Sequence, residues 1–269
     1  MKEHARRVLS ALFLIPLVLL LVKYGSAFHF YLLQSLAMVL GFAELYRLLE
    51  SRGLQPLKVW GTIAGLGLSL LLFLGGGGRE VGLALSLFVI GTLVLFLVSK
   101  RDIERAMPGV ASTLFGVLYL GLLLSFPAIL RSMKDGQTYI FYLFLVTWTG
   151  DTGAYYIGTL FGYHRLAPPI SPRKSIEGSL GGLVASLLTS LVAKVWFWPA
   201  ISLKDSLVLG LFLGVMGQAG DLAESLLKRS LQVKDSGSLI PGHGGVLDRL
   251  DSLLFNAPAM YSYLVLRGL

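Results

Sequence analysis

Apolar residues in this chain gather into long runs separated by short polar breaks, and nine of the runs read as helices crossing a bilayer. They fall at about 8–22, 26–46, 59–75, 81–98, 109–130, 138–158, 179–199, 206–226 and 250–266. A crossing helix needs roughly 20 apolar residues to span about 30 Å of hydrocarbon, and fewer where basic side chains snorkel at its ends. The pattern therefore predicts an all-α, polytopic integral membrane protein. Lys2, Arg6 and Arg7 before the first run imitate a signal segment, but no small-residue cleavage site follows, so this run is expected to stay as a span. No polar stretch is long enough to bury a core of its own, which predicts a single membrane domain over 1–269. Within it, about 1–137 supplies spans without a recognisable motif, and about 138–269 carries the polar chemistry.

Composition strengthens this picture. The chain has 269 residues, 55% hydrophobic and 14% charged, with a mean hydropathy of +0.73, which excludes an ordinary soluble domain. With no cysteine, thiolate nucleophiles, iron–sulfur clusters and cysteine-bound zinc are excluded. The net charge of +8 is what topology-setting Lys and Arg produce in a membrane protein, so it does not call for nucleic acid. With the N-terminus inside, sixteen basic residues fall on the inner side and seven (Lys23, Arg79, Arg131, Lys134, Lys194, Lys204 and Arg267) on the outer. That bias predicts a cytoplasmic N-terminus, an outer C-terminus, and cytoplasmic loops at 164–178 and 227–249.

Within the spans, Gly61/Gly65 and Gly210/Gly214 have the spacing that lets helices approach closely, read as packing inside the chain rather than a dimer seam. Most charges lie near span ends, but Asp151 sits far from either end of its run, where a lone carboxylate is costly. It must face a partner or a wet cavity. Asp221, Glu224, Ser225 and Lys228 share one helical stripe, either a polar ladder between helices or part of a site.

That stripe runs into the loop from Lys228-Arg229 through Lys234, Gly242-His243-Gly244-Gly245 and on to Asp248-Arg249 and Asp251. Glycines around His243 let backbone N–H groups approach an anion, and the helix that follows presents its positive end near Asp248. His243 reads equally as a turn-stabilising side chain, and Asp248 as a simple helix cap. Asp248 and Asp251 share a face and, if they meet Asp221, offer the hard oxygen ligands that suit Mg²⁺. In the other loop, Ser171, Arg173, Lys174 and Ser175 gather hydroxyls and bases behind Pro168-Pro169, and Glu177 precedes a glycine-rich span start. Arg173 and Lys174 serve equally well as topology determinants.

The chain has no phosphate-binding G-x-x-x-x-G-K-[ST] loop, no G-x-S-x-G elbow and no H-E-x-x-H. Acids for Mg²⁺, bases for phosphates and no evident protein nucleophile suit phosphoryl or nucleotidyl transfer, in which positioning and charge stabilisation do most of the work. A site at the membrane surface implies a lipid partner.

Ser225-Leu-Leu-Lys228-Arg229, Lys234-Asp235-Ser-Gly237 and Leu239-Ile240-Pro241-Gly-His243-Gly244-Gly245-Val-Leu-Asp248-Arg249-Leu-Asp251 together resemble the signature of the phosphatidate cytidylyltransferase (CDP-diacylglycerol synthase) family. Ser171-Pro172-Arg173-Lys174-Ser175-Ile176-Glu177-Gly178 looks like the same family's S-P-K-K-T-x-E-G segment, with Arg for the first Lys and Ser for Thr. Segments around Asp151 and Gly220-Asp221-Leu222 follow the family order, so the resemblance covers roughly 148–251. It implies a Mg²⁺-dependent enzyme of the bacterial cell membrane that condenses CTP with phosphatidic acid, its site facing the cytoplasm and its chains paired as a homodimer. It further implies that Asp221 and Asp248 hold the metal with Asp251 or Glu224, and that Lys228, Arg229, Lys234 and Arg249 neutralise phosphates. Gly244 and Gly245 would supply backbone donors, and Ser171, Lys174 and Ser175 would close over the nucleotide or the lipid phosphate. Asp151 would support the cavity or a second cation. A CTP-dependent polyprenol or phytol kinase is the enzyme alternative, and a cation-coupled transporter the alternative from another class. The CDP-alcohol phosphatidyltransferases are disfavoured because their D-G-x-x-A-R motif is absent.

Overall fold

The computed structural model describes residues 16–99, 102–237 and 244–269, which is where the predicted runs can be compared with helices. After a helical turn sequence at 16–24 (α1), the helices are Ala27–Glu50 (α2), Lys58–Phe73 (α3), Gly78–Val98 (α4), Ala106–Gly116 (α5) and Phe126–Ser132 (α6). Then come Gly136–Phe161 (α7), Ile176–Trp196 (α8), Leu203–Ser230 (α9) and Leu247–Arg267 (α10). The eight later predicted runs each coincide with helix, while most of the first run lies outside the described residues. Among the described residues, five helical stretches are long and apolar enough to cross a membrane: Ala27–Glu50, Gly78–Val98, Ile103–Ser132, Ile176–Trp196 and Leu203–Ser230. The protein is thus an α-helical membrane protein. It departs from all-α at one place, an antiparallel hairpin of Arg165–Ala167 (β1) and Ser171–Ser175 (β2) in the expected cytoplasmic loop.

The chain divides into two compact units. The first runs to Ser132 and takes in Asp235–Asp248; the second holds Met133–Lys234 and Arg249–Leu269.

In the first unit, α2 packs on α3, α6 and the stretch between α5 and α6, and Met38, Phe42, Leu45 and Tyr46 of α2 are buried, as are Leu120, Leu124, Ala128 and Leu130. The predicted glycine spacing serves this packing. A Cβ on Gly61 would run into the Tyr46 ring, and one on Gly65 into Phe42, so both glycines admit aromatic side chains from α2. The stretch between α5 and α6 widens to a π-helical turn at Val117–Leu122 and tightens to a 3₁₀ turn at Leu123–Ser125 before Pro127. Such irregularity strands backbone donors, and Gln34 of α2 accepts one of them, the Ala128 amide, at 2.8 Å.

In the second unit, α7 packs most extensively on α8, and α8 on α9. Small residues allow it: Gly150 and Gly153 of α7 face Ser186 and Ala185, while Gly210 and Gly214 of α9 face Ser190 and Ser186. Polar side chains then cross-link the apolar interior. Tyr142 and Ser190 are 2.6 Å apart, Ser190 donates to the Ser206 carbonyl, and Asn256 donates to Thr147 at 2.8 Å. On α8, Leu180, Val184, Leu188, Val192 and Val195 form an exposed stripe, as expected of a lipid-facing side.

Candidate active site

In the second unit, the site is built from α7, the C-terminal part of α9, the N-terminal part of α10 and the hairpin. The hairpin forms because Pro168-Pro169-Ile170 turns the chain, with the Ile170 amide closing on the Ala167 carbonyl at 3.1 Å. Its base is locked by Glu177, which accepts from the His164 amide and lies 2.6 Å from the His164 ring. Ser175 ends the second strand, is buried, and caps α8 by accepting from the Gly178 amide at 3.1 Å. Ser175, expected to close over the substrate, and Glu177 of the same segment therefore shape the hairpin that carries the others.

That hairpin places Lys174 against α9, where its ammonium lies 2.7 Å from Asp221 Oδ2. Further along the same stripe, Ser225 donates to Asp221 Oδ1 at 3.5 Å, and Lys228 lies 3.3 Å from the buried Glu224 carboxylate. Gly220 lets α10 come close, since a Cβ there would stand 2.5 Å from the Asp251 carbonyl oxygen. Asp251 is consequently within hydrogen-bonding reach of Glu224 and feels the charge of Asp221. Asp151 feels Asp221, Asp251 and Lys174, and accepts from Ser252 at 3.3 Å, a partner for the mid-span acid. Arg229 ties the hairpin turn to the end of α9 by donating to the Ile170 and Val233 carbonyls. Ser171 is half-buried on the hairpin, and Arg173, Lys234 and Arg249 are exposed.

Four carboxylates (Asp151, Asp221, Glu224 and Asp251) thus surround two ammonium groups (Lys174 and Lys228). If all are ionised, two negative charges stay uncompensated in a partly desolvated place, which calls for protons or a divalent cation. The donors are hard oxygens of the kind Mg²⁺ takes. Among the described residues no three acidic or histidine side chains converge as a ready-made metal site, which is compatible with an ion that keeps several waters and uses one or two carboxylates.

Of the signature segment, Asp235–Asp248 belongs to the first unit. There the Asp248 carboxylate accepts from the Gly245 amide at 2.8 Å and from the Ser236 amide and hydroxyl at 3.1 and 3.0 Å. Asp248 is therefore a turn-closing cap in this structure, and the Gly245 amide is directed at it. Gly244 has φ +79, the left-handed conformation that glycine accepts without strain. His243 lies outside the described residues. Sequence reasoning did not single out Glu44, Ser236 or Ser252. Glu44 was legible in principle: it follows Gly41 by three and lies on the buried face of α2, where an acid needs a reason.

A helical membrane protein with acids and lysines gathered at the head of its helices belongs to the class equipped to hold an anionic, phosphorylated substrate. More specifically, the chain belongs to the cytidylyltransferase family, whose model matches residues 5–267. It is 36% identical over 236 residues to the phosphatidate cytidylyltransferase of Staphylococcus saprophyticus, covering 87% of this chain and 90% of that protein. To the phosphatidate cytidylyltransferase of Bacillus subtilis it is 34% identical over 274 residues, covering 99% of each chain. The Staphylococcus aureus protein of the same name is 35% identical over 264 residues.

Proposed function

We propose that the protein joins CTP to phosphatidate, giving CDP-diacylglycerol and pyrophosphate. The observation that carries this reading is the Lys174–Asp221 pair, set in a cluster of acids and lysines where a phosphate and a cation would both be accommodated, in a chain of the cytidylyltransferase family. A lipid phosphate oxygen attacks the α-phosphorus of CTP in line, the new P–O bond forms as the α–β bridge breaks, and pyrophosphate leaves with the electron pair. Phosphatidate arrives as an anion, so no protein base has to activate it.

Lys174, Lys228, Arg229, Lys234 and Arg249 draw the phosphates together and offset their charge. Ser171 and Ser225 offer hydroxyl donors, and Arg173 stands exposed on the same hairpin. Asp221, with Asp251 or Glu224, would hold Mg²⁺, which when bound supplies Lewis-acid stabilisation of the α-phosphoryl group and its leaving group. Asp151 supports the acidic cluster from α7 and is the candidate for a second cation. The topology that goes with this is nine spans, with the N-terminus and both long loops in the cytoplasm and the C-terminus outside, in the bacterial cell membrane. The working form is a homodimer.

Mass spectrometry of the products tests the reaction. Protein in detergent with CTP, Mg²⁺ and phosphatidate should give CDP-diacylglycerol and pyrophosphate in equal amounts and leave a polyprenol untouched. A phosphorylated polyprenol with release of CDP would refute it.

A further inference from the structure

Glu44 is an acid on the buried face of α2, only 3% exposed among Phe42, Leu45 and Tyr46. A carboxylate in such a place must find donors. It finds them on the distant signature segment: Oε1 accepts the Val246 amide at 2.9 Å, and Oε2 accepts the Leu247 amide at 3.0 Å. These amides open α10 and have no partner within that helix, so a side chain from α2 does the work of an N-cap. The Ser236 hydroxyl lies 3.2 Å from Glu44 Oε2 and 3.0 Å from Asp248 Oδ2, and so sits between the two carboxylates.

The glycines of the segment fit this contact. A Cβ on Gly237 would stand 2.7 Å from Glu44 Oε1, and one on Gly245 2.5 Å from Oε2. Gly237 thus leaves room for Glu44, and Gly245 for both Glu44 and the Ser236 hydroxyl, independently of any close approach by a substrate phosphate.

We propose that Glu44 is a positioning residue: it clamps two stretches of the signature segment, Ser236–Gly237 and Gly245–Leu247, and thereby fixes Asp248 and the start of α10 for cytidylyl transfer. This rests on the proposed function insofar as the segment serves that reaction. Glu44 itself touches no substrate.

The test uses the full chain in detergent with Glu44→Ala, Glu44→Gln, Asp248→Asn and the double variant Glu44→Ala/Asp248→Asn. Hydrogen exchange read by mass spectrometry reports on the clamp directly. In Glu44→Ala, exchange in the peptide covering 244–250 should speed up about tenfold or more while peptides of α8 stay as in the parent. Turnover should fall by about tenfold to a hundredfold, the range for a lost hydrogen bond to a charged group. Glu44→Gln keeps one acceptor oxygen and should recover part of both, and it carries the test if Glu44→Ala does not fold. The double variant should be within about threefold of Asp248→Asn alone, because one clamp is being removed twice. Unchanged exchange at 244–250 overturns the clamp. Faster exchange with parental turnover, or losses that multiply in the double variant, overturn the positioning role. Failure of the underlying reading is visible separately, as no CDP-diacylglycerol formed by the parent protein from CTP and phosphatidate while the exchange result still stands.

Discussion

Replacing Asp221 with Asn separates a structural ion pair from a functional one. The substitution keeps the shape of the side chain but removes one charge and the partner of Lys174 at 2.7 Å. At an effective dielectric near 20, Coulomb's law gives about 6 kcal/mol for two unit charges at that separation. Both side chains keep contact with solvent, at 26% and 34% exposure, and desolvation and screening leave about 1–3 kcal/mol as the net contribution. A purely structural pair would therefore show its loss as a lower thermal midpoint, with turnover per folded molecule nearly unchanged. If Asp221 instead carries Mg²⁺, turnover should fall by at least about a hundredfold, equivalent to roughly 2.7 kcal/mol, and the Mg²⁺ midpoint should move upward. The assay is CDP-diacylglycerol formation in mixed micelles across a Mg²⁺ titration, with the folded fraction measured in parallel. Turnover within threefold of the parent at an unmoved Mg²⁺ midpoint would refute the assignment.

Two further outcomes are expected. Gly220→Ala places a Cβ 2.5 Å from the Asp251 carbonyl oxygen and 3.2 Å from Phe255. Forcing α9 off α10 should cost about 1–3 kcal/mol, read as a lower thermal midpoint in detergent; an unaltered midpoint would show the approach to be looser than described. Because the chain has no cysteine, single cysteines report topology without background. Lys134→Cys should react with a membrane-impermeant maleimide on intact cells and Arg52→Cys only after permeabilisation, and the reverse pattern would overturn the orientation.

The helices were legible in the sequence because long apolar runs must pair their backbone groups internally, and each predicted run from the second onward coincides with helix, five of the helical stretches being long and apolar enough to cross a membrane. The hairpin was not. Its strands are short and polar, Ser171-Pro-Arg-Lys-Ser175 alternates no apolar face, and only the register with Arg165–Ala167 reveals it. The wide turn at Val117–Leu122 was also hidden, since its residues are as apolar as any helix and the irregularity is answered by Gln34 from another span.

The candidate site divides in a similar way. Spacing along one helix placed Asp221, Glu224, Ser225 and Lys228 on a single stripe, and the structure keeps them there. Asp251 comes to Glu224 as an effect of Gly220, and Lys174 comes to Asp221 as an effect of the hairpin; neither follows from local periodicity. Glu44 escaped for a related reason. An acid near the end of an apolar run looks like an ordinary interfacial charge until the partners that use it, Val246 and Leu247, are seen.

The most direct test of the central claim is the fate of isotope in one turnover. Phosphatidate with ¹⁸O in all three terminal phosphate oxygens is mixed with excess purified protein, CTP and Mg²⁺, and the products are weighed. Attack by the lipid oxygen on the α-phosphorus predicts CDP-diacylglycerol retaining all three labels and pyrophosphate with none. Labelled diacylglycerol pyrophosphate appearing with CDP would place the attack at the terminal phosphorus of CTP and contradict cytidylyl transfer.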